Sequence, residues 1–314
     1  MIKKILSIDT LFRDSYESTS STNYQYLLKN PIANVTSVKL SSMELPNTWH
    51  EFSSKNQTNI FVIHCYNVSS NSGSSTTIIP HIEHIIEIPD GNYLSDVFVE
   101  TLSNYFRNVG DGLQYLGLQI NTITTKFEFY FGSMLDQYPY TPSNDFYIEI
   151  DFFPSQLSIP FTKTAGWLMG FRKNKYTITR NEVFVNKVDE TTLTTYYGFL
   201  ESESSYGSGF QQYIYFYLDE FQHKNRQNYG NTVIIPDKMD QNLGNNHILG
   251  RITVRSGQNT IIFDDESDLI FKRRNYFHAI TLQGFHIKLL NKYGDVIDLN
   301  ENDFSFALEV EILQ

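Results

Sequence analysis

Apolar and polar positions alternate with a period of two along much of this chain. Between residues 35 and 45, Val38, Leu40 and Ser42 fall on one side, and Lys39, Ser41 and Met43 on the other. Between 78 and 88, Ile82, His84, Ile86 and Ile88 share a face. Successive side chains of a strand point to opposite sides, so both stretches predict half-buried strands. The same reasoning predicts strands over 59–66, 116–122, 126–131, 146–153, 212–218, 247–254, 260–263, 279–290 and 304–312.

The period changes clearly once. After the turn-forming run Pro89-Asp90-Gly91-Asn92-Tyr93, the residues Val97, Phe98, Thr101, Leu102, Tyr105 and Phe106 recur at helical spacing. Ser95 is expected to cap this helix, and Val109-Gly110-Asp111-Gly112 to stop it. Shorter helical turns are expected near 164–171 and 219–228. So many strands without a strand–helix–strand rhythm predict a mainly β fold: an antiparallel β-sandwich of jelly-roll type with an α+β insertion carrying the one clear helix. The expected organisation is an N-terminal arm (1–30), a sandwich core (31–84 with 195–314) and the insertion (85–194). A contiguous division into two domains is the alternative. The arm is polar from Ser15 to Tyr24 and is expected to order on a neighbouring subunit. Loops are expected at 69–77 and 201–209. Tyr293-Gly294-Asp295 predicts a hairpin turn between the apolar runs 285–290 and 296–299. The last strand is expected to pair inside a sheet.

Composition adds three constraints. Apolar residues make up 40 % of the 314 residues, which predicts a folded chain, and the aromatic share is rich, with 24 Phe and 21 Tyr. The net charge of −11 argues against a general or specific nucleic-acid role; the dense basic runs, Lys272-Arg273-Arg274 and Arg172-Lys173-Asn174-Lys175, are short enough to be solvated loops. The one cysteine, Cys65, lies in a strand-like run and is expected to be a small buried thiol. Neither a signal peptide nor a membrane span is predicted.

Candidate chemistry is sparse. His81 and His84 form an H-x-x-H pair, but positions three apart on a strand diverge, so a structural role is expected. The remaining histidines, His50, His64, His223, His247, His278 and His286, show no ligand spacing. Asp264-Asp265-Glu266-Ser267-Asp268 offers oxygen ligands suited to calcium, but lacks the glycine and spacing of an EF-hand; a polar turn is expected. Ser155, Ser205 and Ser208 sit outside any nucleophile elbow. No catalytic, cofactor or metal residues are therefore predicted. Tyr206 and other loop tyrosines are candidates for glycan contact, against a packing role. Trp49 and Trp167 are expected to anchor folded corners.

Several segments resemble minor capsid or penton-like virion structural proteins of large (giant) double-stranded DNA viruses. They are Ile8-Asp9-Thr10-Leu11-Phe12-Arg13-Asp14; Asn23-Tyr24-Gln25-Tyr26-Leu27; residues 32–47, ending Met43-Glu44-Leu45-Pro46-Asn47; Ile88-Pro89-Asp90-Gly91-Asn92-Tyr93; and the ending, with His286-Ile287-Lys288-Leu289-Leu290, residues 293–300 and 303–309. The resemblance implies a non-enzymatic role in the virion, assembled in the host cytoplasm. It implies packing against copies of itself, in a possible pentamer, and against other capsid proteins. A receptor- or glycan-binding head and a virion-carried glycan hydrolase are the competing readings.

Overall fold

The computed structural model describes residues 1–314 apart from 73–74, 132–144, 181–183, 188–192, 197, 221–246, 256, 258–259 and 265–271. The strands are β1 (Ile2–Asp9), β2 (Asn23–Pro46), β3 (Ile60–Ser72), β4 (Ser75–Glu87), β5 (Gly117–Ile120), β6 (Lys126–Tyr130), β7 (Tyr147–Asp151) and β8 (Lys175–Thr179). They continue as β9 (Phe184–Lys187), β10 (Leu193–Tyr196), β11 (Phe199–Ser205), β12 (Tyr213–Glu220), β13 (Ile248–Thr253), β14 (Ile261–Asp264), β15 (Arg273–Leu290) and β16 (Ser305–Ile312). Helix α1 spans Ser95–Val109 and α2 Ala165–Met169. The chain is mainly β, its strand pairs are antiparallel, and α1 is its one long helix among the described residues, as the periodicities predict.

Two compact units result: residues 1–49 with 211–314, and residues 50–210. In the first unit the sheet order is β1-β16-β2-β15-β12-β13, with β14 also on β2. Register shifts interrupt the β2–β15 ladder between Asn275 and Gly284. Such irregularities bend a strand pair, which lets one sheet wrap a core. That core draws on both ends of β2, with Tyr24 and Leu45, and on Phe216, Ile287, Phe306 and Leu308.

In the second unit, the sheet β4-β3-β7-β8 and the sheet β11-β6-β5 contribute to one aromatic core. Helix α1 adds Phe98, Leu102 and Phe106, spaced four residues apart on one stripe. Phe52 stacks on Phe98 at 5.0 Å and Phe152 on Phe171 at 4.6 Å. Offset ring pairs of this kind contribute about 0.5–1.5 kcal/mol beyond their buried area.

These bounds differ from the expected ones for identifiable reasons. Residues 60–87 belong to the inserted unit because β3 pairs with β7 as well as β4. Residues 199–205 belong there because β11 pairs with β6. Part of the expected loop at 201–209 is thus strand, and most of 69–77 is the closing end of the β3–β4 hairpin. The first 30 residues are not a detached arm. β1 pairs with β16 along its whole length, Ile8 and Tyr24 are core residues, and Arg13 is held by Asp303 at 2.5 Å. The polarity of 15–24 reflects hydrogen bonding: Thr22 donates to Ile297 O at 2.6 Å and Ser21 to Asn302 O at 2.8 Å.

The helix begins one residue earlier than expected, at the residue expected to cap it. Leu94 holds the N-cap position with no side-chain bond, and Ser95 is the first helical residue. Gly110 (φ 72°) closes it by donating its N–H to Phe106 O at 3.2 Å; a left-handed φ there favours glycine. The turn at 293–295 forms with Gly294 at φ 91°, but only a single bridge, Leu290 to Val296, continues it. The helical turn expected at 219–228 lies outside the described residues beyond Glu220, which ends β12.

Candidate functional site

On β4, alternation sends His81 outward and His84 inward, so the H-x-x-H pair does diverge. His84 Nε2 lies 3.2 Å from Asp111 O. What the sequence spacing does not disclose is the partner of His81. Tyr66 pairs with His81 and Tyr147, and His64 pairs with Glu83 and Glu149, across the three strands β4, β3 and β7. One face of that sheet therefore presents rows of polar and aromatic side chains. His64 Nδ1 lies 3.1 Å from His81 Nε2 and 3.6 Å from Glu83 Oε2. Tyr147 stacks on Tyr66 at 4.4 Å and Tyr66 on His81 at 4.8 Å. At the far side, Lys175 bridges Asp151 (3.0 Å) and Glu149 (3.3 Å). Strand register alone makes this cluster; a sequence reading that paired 60–66 with 81–87 antiparallel would have found it.

Other singled-out residues have structural partners. Burial pushes the Cys65 thiol up to about 12, with a smaller contribution from the Asp111 charge, which keeps it protonated and unreactive. Tyr206 is packed against Phe98 and Phe210, and its hydroxyl donates to Tyr93 O at 3.1 Å. Burial raises its pKa as well, and its ring is half-buried in this packing. Ser205 ends β11, and Ser208 Oγ accepts from Arg172 at 2.7 Å; Ser155 is exposed. Trp49 is a core residue of the first unit, while Trp167 lies under the Arg172 guanidinium at 4.0 Å.

The basic run at 272–274 is used up in ion pairs rather than offered to phosphate. Lys272 pairs with Asp264, Arg273 with Glu309 (3.2 Å) and Glu311 (3.3 Å), and Arg274 with Glu220 (2.5 Å). Of the acidic run at 264–268, only Asp264 is described; the rest lies outside the described residues, as does His223. Among the described residues, no group of three or more His, Cys, Asp or Glu is arranged to hold a metal ion, and no helix is long and apolar enough to cross a membrane.

The other surface feature is an edge. β1 is the terminal strand of its sheet among the described residues, and its side away from β16 carries no described partner. Ile2, Ile5, Leu11 and Phe12 are exposed on or next to it, Phe12 at 79 %.

No family model matches the chain, and no curated protein matches it. Among solved structures it is similar to the mavirus penton protein, with a TM-score of 0.49 and 9 % identity over 100 % of both chains. It is also similar to a chain of the Sputnik virophage, with a TM-score of 0.41 and 12 % identity over 99 % of this chain and 98 % of that one.

Proposed function

We propose that this chain is a structural subunit of a virus particle, a minor capsid or vertex protein. It acts by packing against copies of itself and against other capsid proteins, and its role is mechanical rather than catalytic. The observation that carries this reading is the outer edge of β1, which has no partner among the described residues. A strand with one row of backbone groups unpaired and apolar side chains beside it is a template for a neighbouring chain, and folded proteins usually blunt such edges. A second support is where the capsid-like sequence segments fall. All except residues 88–93 lie in the unit built from both ends of the chain, the unit that carries the edge.

A ring of five around a vertex is the assembly we favour, located in the virion and put together in the host cytoplasm. Light scattering on the purified chain, with negative-stain images, tests it. Closed rings that dissociate when Ile5 is replaced by Asp are expected. A chain that stays monomeric up to about 100 μM, well above the micromolar range of stable assemblies, refutes the reading.

A further inference from the structure

We propose that His64 and His81 form a clip for a borderline divalent transition ion, of which Zn²⁺ is the test case, on the exposed face of the β4-β3-β7-β8 sheet. This does not depend on the assembly reading.

The argument begins with the contact itself. Two ring nitrogens 3.1 Å apart hold one proton between them, so one nitrogen accepts and its lone pair already points at the other ring. The ring centroids are 5.3 Å apart and the planes differ by 24°. With the nitrogens so close, the two rings meet edge to edge and are not stacked face on face. Imidazole bonds to zinc are about 2.0–2.1 Å long, and two of them at a tetrahedral angle place their nitrogens about 3.3 Å apart. The observed separation is therefore close to the bite of two imidazoles on one ion. A modest rotation of each ring turns the two lone pairs from each other to a common point.

The surroundings suit a cation. The Glu83 carboxylate, 3.6 Å from the same His64 nitrogen, adds negative charge and an acceptor for metal-bound water. Glu149 is the register partner of His64 on β7, and the Lys175 ammonium is tied to Asp151 and Glu149. The His81 ring is braced by Tyr66, and Tyr66 by Tyr147, so one ligand is held in place before the ion arrives. Only two protein ligands are offered. Water fills the remaining positions, which leaves them open to exchange.

Calorimetric titration of the full chain with ZnCl₂ at pH 7.5 tests the proposal, together with X-ray absorption at the zinc edge. One equivalent bound through two imidazoles is expected. His64→Gln and His81→Gln should each weaken binding by more than about tenfold, and Tyr66→Leu, which removes the brace and no ligand, by a smaller factor. Binding should fade towards pH 5.5 as protons compete for the imidazoles. A flat titration overturns the proposal. So does a zinc spectrum without imidazole, or affinity that survives either histidine substitution. Should a histidine variant fail to fold, the wild-type absorption spectrum and the Tyr66→Leu titration still decide.

Discussion

Replacing Arg13 with Ala should destabilise the first unit by about 3 kcal/mol. Arg13 is 8 % exposed. Its Nη1 donates to Asp303 Oδ1 at 2.5 Å and to Thr10 O at 2.8 Å, its Nη2 to Thr19 O at 3.1 Å, and its guanidinium lies 3.9 Å from the centre of the Tyr16 ring. Removing one partner of a buried ion pair costs about 3–5 kcal/mol, because the other charge is stranded. Asp303 retains 20 % side-chain exposure and hydrogen bonds from Thr10 and Tyr16, which places the loss at the low end. The two tryptophans separate the units, since Trp49 belongs to the first and Trp167 to the second. Urea unfolding followed by Trp49 fluorescence in a Trp167→Phe background therefore reads the first unit by itself, which matters because chains with more than one unit need not unfold in a single step. With a slope of about 2 kcal/mol/M, the midpoint should fall by about 1.5 M. Asp303→Ala and the double variant complete a cycle whose coupling should exceed about 1 kcal/mol. A midpoint shift under about 0.3 M, or a coupling near zero, would show that the first 30 residues are not anchored as described.

Two further perturbations read other parts of the molecule. In α2, a Cβ on Gly166 would lie 2.3 Å from Phe152 Cγ, a fully buried ring; Gly166→Ala should cost the second unit about 1–3 kcal/mol by overpacking, and an unchanged Trp167 unfolding curve would contradict the packing. A hydrogen bond from Ser37, aided by Arg273 and Lys3, holds the Glu311 carboxyl below the usual range against its partial burial. Its contribution to stability is therefore fully present above the unfolded value, about 4.3, and is lost as pH falls through the lower folded value. Glu311→Gln should flatten the decline of the first-unit midpoint between about pH 5 and 3, and parallel wild-type and variant profiles would remove Glu311 from the acid response.

Local periodicity by itself determined most of the strands, the helix at 95–109 and the β class, because side-chain alternation and helical spacing are properties of neighbouring residues. The strand β1 escaped because Lys3 and Lys4 break its alternation, and the first part of β2 because its polar positions look like a linker. Tertiary structure decided what depends on distant partners. Residues 60–87 went to the inserted unit through the β3–β7 pairing, the first 30 residues were anchored on residues 297–312, and His64 was brought to His81 by a strand register. Each of these is a choice among pairings that all satisfy the same local pattern. The sequence encodes which choice wins only through the summed burial and hydrogen bonding of the whole fold, and a linear reading does not perform that sum.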